Sequence, residues 1–264
     1  MKEIEANKTA WGLISKNQYE RFKEKLHDQN FTLGIIVEKE LGDISGKSII
    51  HLQCNTGADT ILLARKGAVV TGVDLVPENI FHAKKLSEEL NINNIDFIES
   101  DIMDLKKRHD KKYDMVFTTE GVLCWLPDLS IWGETIVHLL KENGVLYVLD
   151  SHPFFMVFDE KKLKENKLEI MYPYFHKEPE HNETIGDYTS KPERGENYNW
   201  MYKVSEIINS LIKAGLTIEC FNEYDSLYFN AGGMERSNNG QYHYPFFDNK
   251  IPFTFSLKAR LIKR

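Results

Sequence analysis

Between residues 47 and 150, short runs of β-branched residues alternate with stretches of helical periodicity. Pro77 with Glu78 opens one helical stretch, because proline is favoured at the first helical position and acidic residues in the first turn. A second helix is predicted over 128–142, ended by Asn143 and Gly144. Strands that alternate with helices indicate βαβ units and a parallel sheet. The predicted strands are 48–52, 68–73, 95–98, 113–119 and 145–149.

The chain after residue 150 has a different pattern. Residues 151–200 carry many aromatic residues without a clean period, which favours an ordered insertion over a disordered linker. A helix over 204–214 ending at Gly215 and strands over 216–221 and 252–262 then complete the sheet. We expect residues 1–46 to form a helical cap over the opening of the main domain, 47–264. The insertion is expected on the substrate side, as a pocket wall or a lid.

Composition limits the partners. The net charge of −7 gives the chain no overall attraction for phosphate backbones, so we expect no nucleic-acid partner. The three cysteines form no CxxC pair, which argues against a disulfide framework and a zinc site, and no metal is expected. The N-terminal segment lacks the apolar core of a signal peptide, and no run of about 18 apolar residues occurs. These features predict a cytoplasmic protein without a membrane partner.

The segment after the first predicted strand has the arrangement that binds nucleosides. A tight turn over 53–57 precedes a helix, and Asp74 ends the next strand, seventeen residues past Gly57. Gly57 alone fits an ordinary turn, but Asn55 is among the few non-glycine residues that tolerate a positive φ. A buried carboxylate needs a partner, so we expect Asp74 to accept hydrogen bonds from both hydroxyls of a ribose. Leu75 is placed to cover an adenine face.

A second carboxylate, Asp101, follows the third predicted strand. Its position suits a hydrogen bond from an adenine amino group. It also suits the N-cap of a short helix over 102–105. Both interpretations stay open on the sequence alone.

Four segments in order, 49–57, 70–74, 100–102 and 113–117, resemble the motifs of class I S-adenosylmethionine-dependent methyltransferases over roughly residues 40–150. Residues 121–128 and Gly144 are similar to later motifs of that family. The resemblance implies an α/β fold with a seven-stranded, mostly parallel Rossmann-like sheet, helices on both faces and an antiparallel last strand. It also implies S-adenosyl-L-methionine as the cofactor and a small molecule as the methyl acceptor. The resemblance places these residues at the cofactor: Gln53, Cys54, Asn55, Gly57, Asp74, Leu75, Asp101, Ile102 and Glu120.

The glycine-rich loop departs from the family pattern. The family usually has an acidic residue followed by three glycines at alternate positions, and here those positions hold His51, Gln53, Asn55 and Gly57. Only the last glycine is present, which affects how closely the methionine part of the cofactor approaches the backbone. Gln53 offers an amide oxygen that can accept a hydrogen bond from the cofactor's ammonium group.

No obligatory catalytic residue is expected, because the cofactor carries the chemistry and the protein aligns the reactants. Glu120 and His152, at the carboxyl ends of the fourth and fifth strands, are the candidates for a general base. Glu120 also fits a helix cap or a solvent-facing residue, and His152 a simple strand end. The residues expected in the substrate pocket are Trp125, His152, Tyr172, Tyr198 and Trp200.

Three other functions stay open. The altered glycine loop fits a regulatory protein that binds S-adenosylmethionine without turnover. A nucleic-acid methyltransferase is disfavoured by the acidic charge and by the sequence TEGV over 119–122, where such enzymes carry an Asn/Asp-Pro-Pro-aromatic motif. A nicotinamide-dependent oxidoreductase needs GxGxxG, which residues 54–57 do not provide. A monomer or a homodimer is expected.

Overall fold

A computed structural model of the chain describes residues 1–186 and 192–262. Its helices are α1 (Lys2–His27), α2 (Ile35–Leu41), α3 (Ala58–Arg65), α4 (Pro77–Glu89), α5 (Ile102–Arg108), α6 (Leu129–Leu139), α7 (Glu160–Leu163) and α8 (Val204–Ala214). The strands are β1 (Ser48–Leu52), β2 (Val69–Asp74), β3 (Ile95–Glu99), β4 (Tyr113–Thr119), β5 (Leu140–Ser151), β6 (Glu180–Ile185), β7 (Glu193–Asn199), β8 (Thr217–Tyr224), β9 (Glu235–Arg236), β10 (Tyr242–His243) and β11 (Thr254–Arg260).

Seven strands form the main sheet, in the order β3-β2-β1-β4-β5-β11-β8. The first five pair in parallel, whereas β11 runs antiparallel to both of its neighbours, β5 and β8. The predicted seven-stranded sheet with an antiparallel last strand is therefore confirmed. The chain crosses over after β3 so that β4 pairs with β1, and such a reversal opens a crevice at the carboxyl ends of the strands.

Helices cover both faces of this sheet because its central strands are apolar on both sides. Ile49 and Ile50 are neighbours on β1 and both are fully buried, which requires a hydrophobic layer on each face. One layer is built by α5, α6 and α8, and the other by α1, α2, α3 and α4. The predicted α8 has the expected bounds and ends at Gly215, whose φ of 102° is the left-handed conformation of a helix cap.

The junction between α6 and β5 lies earlier than the sequence predicts. The helix expected to reach residue 142 ends at Leu139, and β5 begins at Leu140 rather than at residue 145. Leu140 already pairs with Tyr113 on β4, and the Lys141 ammonium lies 2.9 Å from the Asp114 carboxylate. Asn143, with a φ of 63°, forms an irregularity inside the long strand instead of a stop before it.

The insertion after β5 contains regular elements that the sequence did not indicate, namely α7 and a β6/β7 hairpin. Residues 187–191, between these two strands in the sequence, lie outside the described residues. The hairpin packs along α1, where the buried Asn7 side chain accepts from the Tyr198 N–H (2.7 Å) and donates to the Tyr198 carbonyl (2.9 Å). The first part of the insertion packs with residues 227–253 in a separate apolar cluster.

Candidate active site

The turn after β1 keeps the backbone shape of a glycine-rich loop with only one glycine. Gln53, Asn55 and Gly57 have φ values of 54°, 49° and 81°, all in the left-handed region. The expectation that Asn55 tolerates a positive φ is confirmed. A side chain at Gly57 would bring its Cβ to 2.9 Å from Ala83 on α4, so this position admits only glycine.

Asp74 at the end of β2 ties this turn to the next one. Its carboxylate accepts from the Asn55 N–H (2.8 Å), the Val76 N–H (2.9 Å) and the Asn79 side chain (3.2 Å). Burial raises the pKa of Asp74 above its usual value despite these hydrogen bonds. The carboxylate thus lies at the carboxyl end of β2, next to the turn that follows β1.

Gln53 connects the turn to the loop after β4. Its side-chain amide donates to the Val122 carbonyl (2.9 Å). The amide oxygen Oε1 is buried and accepts no hydrogen bond from any described residue. A buried acceptor in this state is costly unless a ligand satisfies it, which fits the ammonium group of a bound amino acid moiety.

His51 and Cys54 are both buried beside the turn. The His51 Nδ1 lies 2.9 Å from the Thr60 hydroxyl, and burial lowers the pKa of this imidazole to about 3. The position that carries an acid in related loops is therefore neutral here. Cys54 packs against α4 and β3, and burial raises the pKa of its thiol well above the usual value.

Asp101 caps α5, where its carboxylate accepts from the Met103 N–H (2.9 Å). Burial raises the pKa of this carboxyl group. The structure therefore shows Asp101 as the N-cap of α5, and the contact of Asp101 with an adenine amino group stays a prediction. Ile102 is buried behind the cap, while Leu75 is partly buried after β2.

Glu120 directly follows β4 and is half-buried, close to the half-buried Asp59 and the buried Asp150. Burial, and then the charges of Asp150 and Asp59, raise the pKa of Glu120 well above its usual value. Within the part of the chain that the structure describes, its buried Oε2 has no hydrogen-bond partner. Asp59, by contrast, accepts from the Thr119 hydroxyl (2.9 Å).

Asp150 is a residue of the candidate site that the sequence analysis did not identify. At the end of β5 it accepts from the N–H groups of Gly121 (2.6 Å), Val122 (3.2 Å), Leu123 (2.9 Å) and Ser151 (2.7 Å). It thereby fixes the loop that follows Glu120. An acidic residue at the end of a buried strand was the available signal, the same one that identified Asp74.

His152 lies beyond β5 with both ring nitrogens in contact with protein groups. Nδ1 accepts from the Phe154 N–H (3.0 Å), and Nε2 lies 3.0 Å from the Glu223 carboxylate. Burial lowers the pKa of His152, although Glu223 opposes the shift. Its neighbours Ser151 and Pro153 line an open pocket next to the loop after β4, whereas His152 points toward β8.

Of the four aromatic residues predicted for the substrate pocket, only Trp200 is among the residues that line this pocket. Trp200 lines the pocket, and its backbone N–H donates to the Cys124 carbonyl (2.7 Å). Trp125 packs edge-on against Trp11 of α1, with ring centroids 5.1 Å apart. Tyr172 and Tyr198 lie elsewhere. The Tyr172 N–H bonds the Val157 carbonyl, and the Tyr198 hydroxyl donates to Glu196 (2.7 Å).

Among residues 1–186 and 192–262, no group of three or more His, Cys, Asp or Glu side chains is arranged to hold a metal ion. In the same ranges, every helix is too short or too polar to cross a bilayer.

Comparison with known proteins identifies the domain. The family described as "Methyltransferase domain" matches residues 43–205, more than half of the chain. The ubiquinone biosynthesis O-methyltransferase of Actinobacillus pleuropneumoniae is 30% identical over 115 residues, which cover 42% of this chain and 48% of that protein. An uncharacterized RNA methyltransferase of Clostridium tetani is 25% identical over 50% of this chain and 28% of its own length. The chain thus spans about half, or less, of the curated relatives it matches.

Solved structures agree on the fold. The crystal structure of an S-adenosylmethionine-dependent methyltransferase from Methanosarcina mazei superposes with a TM-score of 0.59 at 17% identity. The superposition covers 89% of this chain and 100% of that structure. At such identity the likeness concerns the fold alone. The matched domain and the fold together place the chain among the class I S-adenosylmethionine-dependent methyltransferases, whose cofactor is S-adenosylmethionine.

Proposed function

We propose that this chain transfers the methyl group of S-adenosylmethionine to a small-molecule acceptor. The observation that carries the proposal is the turn over 53–57 with its left-handed backbone, tied to the buried carboxylate of Asp74 by the Asn55 N–H. Together they offer a ribose acceptor and a close backbone approach at one end of the sheet. The acidic charge of the chain favours a small acceptor over a nucleic acid.

The residues present fit the cofactor. Gln53 would accept from its ammonium group through the free Oε1, and Asp74 would accept from its ribose hydroxyls. Leu75 and Ile102 would border the adenine, with Asp101 near the adenine amino group. When bound, S-adenosylmethionine supplies an electrophilic methyl group on a sulfonium, which a nucleophile attacks in line.

Glu120 is the residue that we propose as general base. Its Oε2 is buried and has no hydrogen-bond partner among the described residues, and its raised pKa makes the carboxylate a stronger proton acceptor than an exposed glutamate. The Actinobacillus relative is named as an O-methyltransferase, so we take a hydroxyl as the acceptor group. Glu120 would accept the proton of that hydroxyl group at its Oε2. Nδ1 of His152 accepts from the Phe154 N–H, and the ring points toward Glu223 on β8 rather than into the pocket, which favours a structural role for that residue over the role of base.

Glu120→Gln tests this role through the pH dependence of methyl transfer to a neutral phenol such as 2-naphthol. In the unmodified protein the rate should fall as the pH drops through the raised pKa of Glu120, because only the carboxylate accepts a proton. We expect Glu120→Gln to lower the rate by about 100-fold or more and to abolish this limb.

Glu88→Gln, on the exposed side of α4, is the matched control and should leave rate and profile unchanged. An unaltered pH profile in Glu120→Gln excludes Glu120 as the base. Binding of S-adenosylmethionine without methyl transfer to any of a broad set of acceptors would favour a regulatory protein instead.

A further inference from the structure

The pocket beside the loop after β4 has a distinct chemical character. It opens between the insertion, α8 and the carboxyl ends of β4 and β5. Trp200, Tyr202 and Phe255 supply aromatic walls, and Met156 and Ile207 supply aliphatic ones. Mostly apolar concave surfaces with aromatic walls are typical of sites for small organic ligands.

This pocket and the cofactor turn share one wall, residues 121–123. Gly121 and Leu123 line the pocket, while the Val122 carbonyl between them accepts the hydrogen bond from Gln53. Asp150 holds the wall in place through the N–H groups of the same three residues. A molecule in the pocket would therefore lie next to the methionine end of a cofactor held by Gln53.

The polar groups of the pocket are acidic or neutral. Asp150 lines it, and the half-buried Glu120 immediately precedes its wall. Burial raises the pKa of the Cys124 thiol, which stays protonated, and the Tyr202 hydroxyl donates to the Leu126 carbonyl (2.5 Å). Among the described residues that line the pocket, none is a lysine, arginine or histidine.

We infer that this pocket binds the methyl acceptor and selects a neutral, largely apolar aromatic molecule over acceptors that carry a carboxylate or a phosphate. The inference rests on the proposed function and names its substrate class. An anionic group here would lose its hydration without meeting a cation and would face the charge of Asp150. A neutral ring would instead pack against the partly exposed Trp200 and Met156.

The test is calorimetric titration of the full chain saturated with S-adenosylhomocysteine. The probes are 2-naphthol and 2-naphthoate, which share a ring system and differ in one charged group. We expect 2-naphthol to bind at least about 10-fold more tightly, a difference of about 1.4 kcal/mol. Equal or tighter binding of 2-naphthoate overturns the inference, as does absence of 2-naphthol binding.

Binding of S-adenosylhomocysteine to the chain is measured first. Failure of this cofactor product to bind would contradict the proposed function rather than the acceptor class.

Met156→Trp fills the pocket and should abolish 2-naphthol binding while S-adenosylhomocysteine still binds. Phe154→Trp, two residues away and 41% exposed, is the matched control and should bind the phenol normally. Met156→Lys supplies the missing cation and should reverse the preference toward 2-naphthoate. Normal 2-naphthol binding by Met156→Trp would place the phenol at another site.

Discussion

At the scale of single residues, a few groups of the site have a backbone conformation or a buried polar atom that is energetically unfavourable. Gln53 and Asn55 keep left-handed conformations that glycine adopts without strain, at a cost of about 1 kcal/mol each. The Gln53 side chain also has a buried amide oxygen, Oε1, which accepts no hydrogen bond from any described residue. Such states persist where binding depends on them, which is the pattern expected of a ligand site.

Asp74→Asn is expected to weaken binding of S-adenosylhomocysteine by about 30-fold or more. The amide removes the charge that accepts from the Asn55 N–H and from ribose hydroxyls, and charged hydrogen bonds contribute about 1.5–3 kcal/mol each. Calorimetry gives the affinity. Asp96→Asn, an exposed residue on the adjacent β3, is the control that should bind normally. Unchanged affinity in Asp74→Asn would remove Asp74 from the cofactor site.

The sequence predicted some of these residues and not others, for physical reasons. A positive φ at Asn55 follows from the intrinsic tolerance of asparagine, whereas glutamine carries no such signal. The position of Asp150 at the end of a buried strand was a local signal, but its bonds to the N–H groups of residues 121–123 arise only from tertiary folding. A contact between distant segments leaves no local pattern to detect.

At the scale of elements, α2 is fastened to the sheet through one carboxylate, Glu40. Burial works to raise the pKa of Glu40, but hydrogen bonds from four side chains hold it below the usual value. The seven-residue helix has few other polar contacts with the sheet, and Glu40 links it to three strands. The donors are Tyr147 (2.8 Å), Tyr224 (2.5 Å), Asn222 (2.8 Å) and Ser256 (2.9 Å).

Glu40→Gln should lower the free energy of unfolding by about 2–3 kcal/mol at pH 7, because the hydrogen bonds lose their charged acceptor. A lowered folded-state pKa gives stability that is present above the unfolded value and lost as the pH falls through the folded one. The difference from the unmodified protein should therefore shrink below about pH 4. Urea unfolding at pH 7 and at about pH 3 measures it. Lys39→Gln, exposed on the same helix, should match the unmodified protein, and a pH-independent difference for Glu40→Gln would contradict this account.

The β6/β7 hairpin shows why sequence patterns missed part of the insertion. Its strands, with sequences EHNETI and ERGENYN, are almost entirely polar and have no alternation of apolar residues. They are ordered by packing on α1, where Gly195 lies against Ala10 and Leu13. The strands of the main sheet were predicted because they bury apolar side chains, a property visible in the sequence itself.

At the scale of the whole molecule, α1 joins three parts of the structure. It packs on the hairpin through Asn7, on the loop after β4 through Trp11, and on α4 through Tyr19, whose ring stacks on His82. The predicted role of residues 1–46 as a cap stays a prediction. These contacts nevertheless connect α1 to both sides of the crevice.

Asn7→Ala should loosen the hairpin without unfolding the sheet, because two buried hydrogen bonds to Tyr198 are lost. We expect faster hydrogen exchange in residues 180–186 and 192–199, with β1 and β4 unchanged. Thr9→Ala removes only an exposed hydroxyl that bonds within α1 and is the control. Equal exchange in both variants would show that Asn7 does not hold the hairpin.

Calorimetric titration of the purified chain with S-adenosylmethionine, S-adenosylhomocysteine and NADH tests the central claim most directly. The turn over 53–57 and Asp74 are proposed to bind the first two, and the turn lacks the glycines that a pyrophosphate needs. We predict one site per chain for S-adenosylmethionine and S-adenosylhomocysteine and no binding of NADH. Binding of NADH with no heat from either methyl-cofactor species would contradict the account.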